Sequence, residues 1–111
     1  MEIKTRKEQK AMIVSPNGRM DAISSPEVEK SVVDIISKGE KYIILNMENI
    51  DYISSAGLRV VLTIAKSAKT AGGEAYITGL RASVEEIFKL TGFQNLLKIF
   101  ANDEEALSKL N

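Results

Sequence analysis

The residues best placed to do chemistry are two adjacent hydroxyls, Ser54 and Ser55, in the segment Asp51-Tyr52-Ile53-Ser54-Ser55-Ala56-Gly57-Leu58. They fall where a loop that follows a strand becomes the start of a helix. A helix start leaves backbone N–H groups unpaired and carries partial positive charge. A hydroxyl there can accept from those N–H groups as an N-cap, which is the ordinary use of serine in such a place. A phosphate carried on the same hydroxyl would be stabilised by the same groups. On residue types alone a structural cap and a regulatory phosphoacceptor both stay open. Gly57, with no Cβ, would let another backbone or a partner approach closely.

Few other chemistries are available to the chain. It contains no Cys and no His. Thiolate nucleophiles, cysteine-ligated metals, Ser–His–Asp catalysis and histidine metal sites are therefore excluded. Trp is absent, and three Tyr with three Phe are thin equipment for stacking on bases. Fifteen Lys plus Arg balance fifteen Asp plus Glu, so the concentrated positive footprint of a nucleic-acid binder is missing. Lys4, Arg6, Lys7 and Lys10 alternate with Glu2 and Glu8 and read as a solvated edge strand protected against aggregation. Asp103, Glu104 and Glu105 read as a solvated, dipole-matched helix start rather than a metal site. Ala71-Gly72-Gly73-Glu74 reads as a helix end and turn, and no Walker A pattern occurs. The expectation is a binding protein and not an enzyme, with no metal, no cofactor and no nucleic-acid partner.

The elements that must position the serines follow from periodicity. With 111 residues, 44% hydrophobic and 27% charged, the chain is expected to form one domain spanning residues 1–111. Ile3 and Thr5 alternate with charge, and Ala11-Met12-Ile13-Val14 forms a second run that Ser15-Pro16-Asn17-Gly18 should stop. The two pair as a hairpin around Lys7–Lys10. Ser24-Ser25-Pro26-Glu27 is a helix start with capping-box spacing between Ser24 and Glu27, followed by Val28, Val32, Ile35 and Ile36 at helical spacing. Tyr42-Ile43-Ile44-Leu45 reads as a central strand, and Asn49 to Ser55 as a polar connection. A helix then runs from Ser54 or Ser55 to about Ala71, with Leu58, Val61, Leu62, Ala65 and Ala68 inward and Arg59, Thr63, Lys66 and Thr70 outward. Ala75–Thr78 is a strand, Ser83 with Glu86 opens another helix that stops at Gly92, Leu97–Phe100 is a short edge strand, and Asn102 begins a terminal helix. Met12, Met20 and Met47 read as core residues, with Met20, beside Asp21, also a candidate interface residue. The order β-β-α-β-α-β-α-β-α predicts an α/β fold in which a mixed β-sheet carries helices packed on it. The first ten residues lack an apolar leader and no stretch is apolar enough to span a bilayer, so the expectation is a cytoplasmic protein without membrane insertion.

The stretch Ile43 to Leu58, taken with the order of elements, resembles the anti-sigma factor antagonist family, the bacterial STAS domain. Members show an apolar strand ending Leu-Asp-Leu, a short loop, then Asp-Ser-Ser/Thr-Gly-Leu-Gly opening a helix. A Gly-x-x-Asp motif ahead of the first helix is matched by Gly18-Arg19-Met20-Asp21, and a later Leu-Thr/Ser-Gly-Leu/Phe segment by Leu90-Thr91-Gly92-Phe93. The likeness runs from about Met12 to Leu107. It implies the STAS fold and a partner-switching role. The protein would bind an anti-sigma factor that is also a serine kinase, and so release a sigma factor. The kinase would phosphorylate the domain and a serine phosphatase would restore it. The family's phosphoserine falls on Ser55, with Ser54 the alternative. Asp21 matches an acid near the partner surface, and Ser54, Ser55, Ala56, Gly57, Leu58, Arg59 and Thr63 complete the implied partner-binding set. The chain departs from the pattern with Ser54 in place of Asp before the acceptor, Ala56 after it, Arg59 for the final Gly, and Asn46 for the strand-end Asp. The other role the resemblance allows is a non-phosphorylated STAS scaffold or accessory subunit of a lipid-transport or signalling assembly.

Overall fold

The structure, a computed structural model, describes residues 1–110. Strand β1 (Glu2–Glu8) and strand β2 (Ala11–Met20) form an antiparallel hairpin with Glu8 opposite Ala11. Helix α1 (Ser25–Ser37) leads to β3 (Tyr42–Asn46) and β4 (Ile50–Ile53), and helix α2 (Ser55–Thr70) to β5 (Glu74–Thr78). Helix α3 (Ala82–Thr91), a single 3-10 turn at Phe93–Asn95, β6 (Lys98–Phe100) and α4 (Asp103–Ser108) complete the chain. The strands lie in the order β1-β2-β3-β5-β6, with only the β1–β2 pair antiparallel. The sheet is mixed, and helices cross between its parallel neighbours.

Period-two alternation splits the core across the sheet. Val14, Ile43, Leu45 and Ile77 face α1, α2 and α3, where Val28, Val32, Val61, Ile64, Ala68, Val84 and Phe88 are buried against them. Ala11, Ile13, Ile44 and Tyr76 face the other way, onto Ala106, Leu107 and Leu110 at and beyond α4. Asp103, at the start of α4, is also buried. Its carboxylate accepts from Asn46 Nδ2 at 2.9 and 3.0 Å and from the Thr78 hydroxyl at 2.7 Å. The expected solvated helix start therefore holds for Glu104 and Glu105 but not for Asp103, which ties α4 to the ends of β3 and β5. Asn102 caps the helix, accepting from the Glu105 N–H at 2.9 Å.

Two local expectations are corrected. The segment expected to be a polar connection contains β4, and β2 does not stop at Ser15–Gly18. Val14 and the two residues before it pair with β3, and Gly18 to Met20 pair with β4. Pro16 sits between these two stretches, where a missing N–H costs no bond to either parallel partner. Gly18, at φ +120°, carries the register shift that re-aims the strand. Neither capping box forms. The Ser24 side chain makes no cap bond to α1 because it is engaged in the turn before the helix, and Ser83 lies inside the first turn of α3.

Candidate docking and modification site

The site is built where β2, β4 and α2 meet. Arg19 and Tyr52 are paired across the β2–β4 ladder, as are Met20 and Ile53. Met20 and Ile53 turn inward and are fully buried, so Met20 is a core residue and not an interface one. Arg19 and Tyr52 turn outward, with the guanidinium 4.3 Å from the ring centroid.

The chain leaves β2 through a tight turn at residues 21–24. The Asp21 carboxylate accepts from the N–H of Ile23 at 2.9 Å and of Ser24 at 3.0 Å. The Ser24 hydroxyl accepts from the Asp21 N–H at 3.1 Å and donates to the Arg19 carbonyl. This is a side-chain-closed turn of the kind Asp and Ser favour. The N–H groups of Ser24 and then Ile23, helped by the Ser24 hydroxyl and the Arg19 charge, hold the Asp21 carboxyl below its ordinary range. At the tip of the turn Ile23 is 87% exposed.

The turn is joined to the start of α2. The Ser54 N–H donates to the Met20 carbonyl at 2.9 Å. Ser54 is extended, its Oγ accepts from the Gly57 N–H at 3.3 Å, and its carbonyl accepts from the Leu58 N–H at 2.9 Å. A Cβ on Gly57 would lie 2.6 Å from the Met20 carbonyl oxygen and 2.7 Å from Ile53 Cγ1. The close approach that glycine permits is thus made by the chain's own backbone.

Of the residues that the sequence nominates, Ser55 and Arg59 are exposed, while Asp21, Ser54 and Ala56 are half-buried around them. Gly57 and Leu58 are buried, so they set the helix on the sheet and do not present a surface. Thr63 stands two turns along α2 from Ser55, on a groove of about 440 Å³ between α1 and α2 that Val33, Ile36 and Lys66 also line. Helix α2 carries Arg59, Lys66 and Lys69 and no acid. Sequence reasoning missed Ile23, Arg19 and Tyr52. The last two become legible once β4 is recognised, because alternation across Met20 and Ile53 points their neighbours outward. Nothing in the sequence separates Ile23 from a core isoleucine.

Comparison with known proteins follows the same outline. The family model of the STAS domain matches residues 2–106. The chain is 35% identical over 95 residues to BtrV of Bordetella bronchiseptica, described as an anti-sigma factor antagonist, and the match covers 86% of this chain and 81% of that one. It is 27% identical over 99 residues to the anti-sigma-B factor antagonist of Staphylococcus aureus, covering 89% and 92%. The crystal structure of a Thermotoga maritima protein described as an anti-sigma factor antagonist superposes with a TM-score of 0.90 at 25% identity, covering 96% of this chain and 92% of that one.

Proposed function

The chain belongs to the STAS domain family, and from that premise we propose that it is an anti-sigma factor antagonist whose binding is switched at Ser55. It captures an anti-sigma factor that is also a serine kinase, so that a sigma factor goes free. The kinase modifies Ser55, and a phosphatase reverses the modification. The protein itself needs no catalytic group for this, and it works in the cytoplasm alongside the transcription machinery. Among the described residues no helix is long and apolar enough to cross a membrane.

The observation that carries the reading is the division of labour between the two serines. Ser54 is the half-buried cap whose oxygen is committed to the Gly57 N–H. Ser55 stands next to it on the exposed side of α2, and it is the Ser54 N–H that joins this helix start through the Met20 carbonyl to the Asp21 turn. A hydroxyl at that position can be reached by a kinase and covered by a partner. A phosphate there adds roughly −1.5 to −2 charges. Covering that charge with a partner surface that offers no matching cation costs several kcal/mol, and each ~1.4 kcal/mol is a tenfold loss of affinity. No rearrangement of the fold is required. Asp21, Ser54, Ala56, Arg59 and Thr63 supply the shape of the face.

Incubation with the anti-sigma kinase and ATP tests the assignment. Wild type and Ser54→Ala should gain one phosphate by mass, and Ser55→Ala should gain none. Phosphate mapped to Ser54 would move the switch to the cap residue.

A further inference from the structure

The period of α2 turns Leu62 and Ala65 inward beside Val61 and Ala68, yet only the last two are fully covered, and Leu62 and Ala65 stay half-buried. The arrangement of elements explains the gap. Helix α2 packs on β5, while α3, the next helix, packs against β4 and the 3-10 turn. The flank of α2 on the β6 side is closed only by the residues leading into that three-residue strand. What remains is a concave cavity of about 430 Å³ between α2, the start of β5 and residues 96–98, within the size range of small-molecule sites. Leu62, Ala65, Leu96 and Leu97 make its apolar lining, and Leu96 is 63% exposed. Lys66, Lys69, Lys98 and Glu74 are its charged groups. Lys98 Nζ donates to the Glu74 carboxylate at 2.6 Å, so these two answer each other. None of the ion pairs among the described residues uses Lys66 or Lys69.

An open apolar lining gains free energy when it is covered, and two unanswered cations at its rim favour an anion. A lysine stem can lie along an apolar wall while its ammonium stays at the mouth. A neutral hydrocarbon would leave both ammonium groups unmatched, and a polar anion would leave the leucines in water. We infer that this cavity binds an amphiphile with an apolar chain and one anionic head, of the class of a fatty carboxylate, its chain against Leu62, Ala65, Leu96 and Leu97 and its head at Lys66 and Lys69. The site is separate from the docking face. Leu62, its near end, is seven residues past Ser55, about 10 Å along the helix axis, and nothing in the inference depends on the identity of the protein partner.

Titration of the full chain with sodium decanoate below its micelle concentration, followed by amide NMR shifts, decides it. Binding should saturate at one ligand per chain, with the largest shifts at residues 62–69 and 96–98. Octanoate should bind more weakly by about fourfold for each methylene lost, the value of a buried CH₂. Decanol should bind about fivefold or more weakly than decanoate, and that difference should vanish in the double variant Lys66→Gln, Lys69→Gln and shrink as salt is added. Leu96→Asp, a change at an exposed side chain that leaves the melting temperature near that of wild type, should weaken decanoate binding about tenfold or more. A second arm adds vesicles of phosphatidylglycerol in phosphatidylcholine, to separate a free amphiphile from a lipid headgroup presented on a membrane. Attachment to the vesicles without saturable binding of monomeric decanoate would overturn the inference in favour of a membrane-facing surface. Shifts confined to other residues, equal affinity for decanol and decanoate, or wild-type affinity in Leu96→Asp would overturn it outright.

Discussion

At the scale of single residues, two neighbours of identical chemistry do different work because one is turned into a helix end and the other away from it. Ser54 Oγ accepts from the Gly57 N–H, and the Ser55 side chain is exposed. Losing an N-cap oxygen typically costs about 1 kcal/mol. Chemical denaturation should therefore show Ser54→Ala less stable by about 1 kcal/mol and Ser55→Ala within about 0.5 kcal/mol of wild type. Equal losses would mean that both hydroxyls are structural and that neither is free for modification. Both uses of a serine at a helix start call for the same residue type, and so the pair was legible in the sequence while the split between them was not. The split depends on which oxygen meets the Gly57 N–H, a matter of backbone angle at Ser54 that no residue type encodes.

At the scale of elements, the site exists because α2 is pressed onto the ends of β2 and β4. Gly57 sets that distance, with a Cβ placed 2.6 Å from the Met20 carbonyl oxygen and 2.7 Å from Ile53. Gly57→Ala should destabilise the domain by about 1–3 kcal/mol, the cost of forcing atoms into a packed contact, even though alanine favours helix. A neutral or stabilising result in denaturant would show that the helix can lift without penalty and that the close contact is not a constraint. The helices and long strands were readable because their apolar periods are clear, as at Val28, Val32, Ile35 and Ile36 or at Tyr42 to Leu45. β4 was not. Its four residues carry only Ile50 and Ile53 as buried positions, and its partner is the end of a strand whose Pro16 and Gly18 read as a stop. Asp103 was misjudged for a related reason. Its partners Asn46 and Thr78 are 57 and 25 residues away in the chain, and only the parallel pairing of β3 and β5 brings them to it.

At the scale of the whole molecule, the balance of fifteen cations and fifteen anions leaves no net charge to steer binding. On the proposed reading the docking face acts through its shape, its local charges and the charge that phosphorylation adds to it. The Asp21 turn, the Ser54 cap and the first turn of α2 are braced by the same β2 end, so a phosphate at Ser55 meets a surface that does not yield. Rigid partners of this kind discriminate by penalty more than by rearrangement. The most direct measurement is the affinity of the unmodified and the Ser55-phosphorylated protein for the anti-sigma factor, side by side in calorimetry. The account predicts a loss of about a hundredfold or more on phosphorylation, equivalent to about 3 kcal/mol, with the fold unchanged by circular dichroism. Equal affinities for the two forms would contradict it.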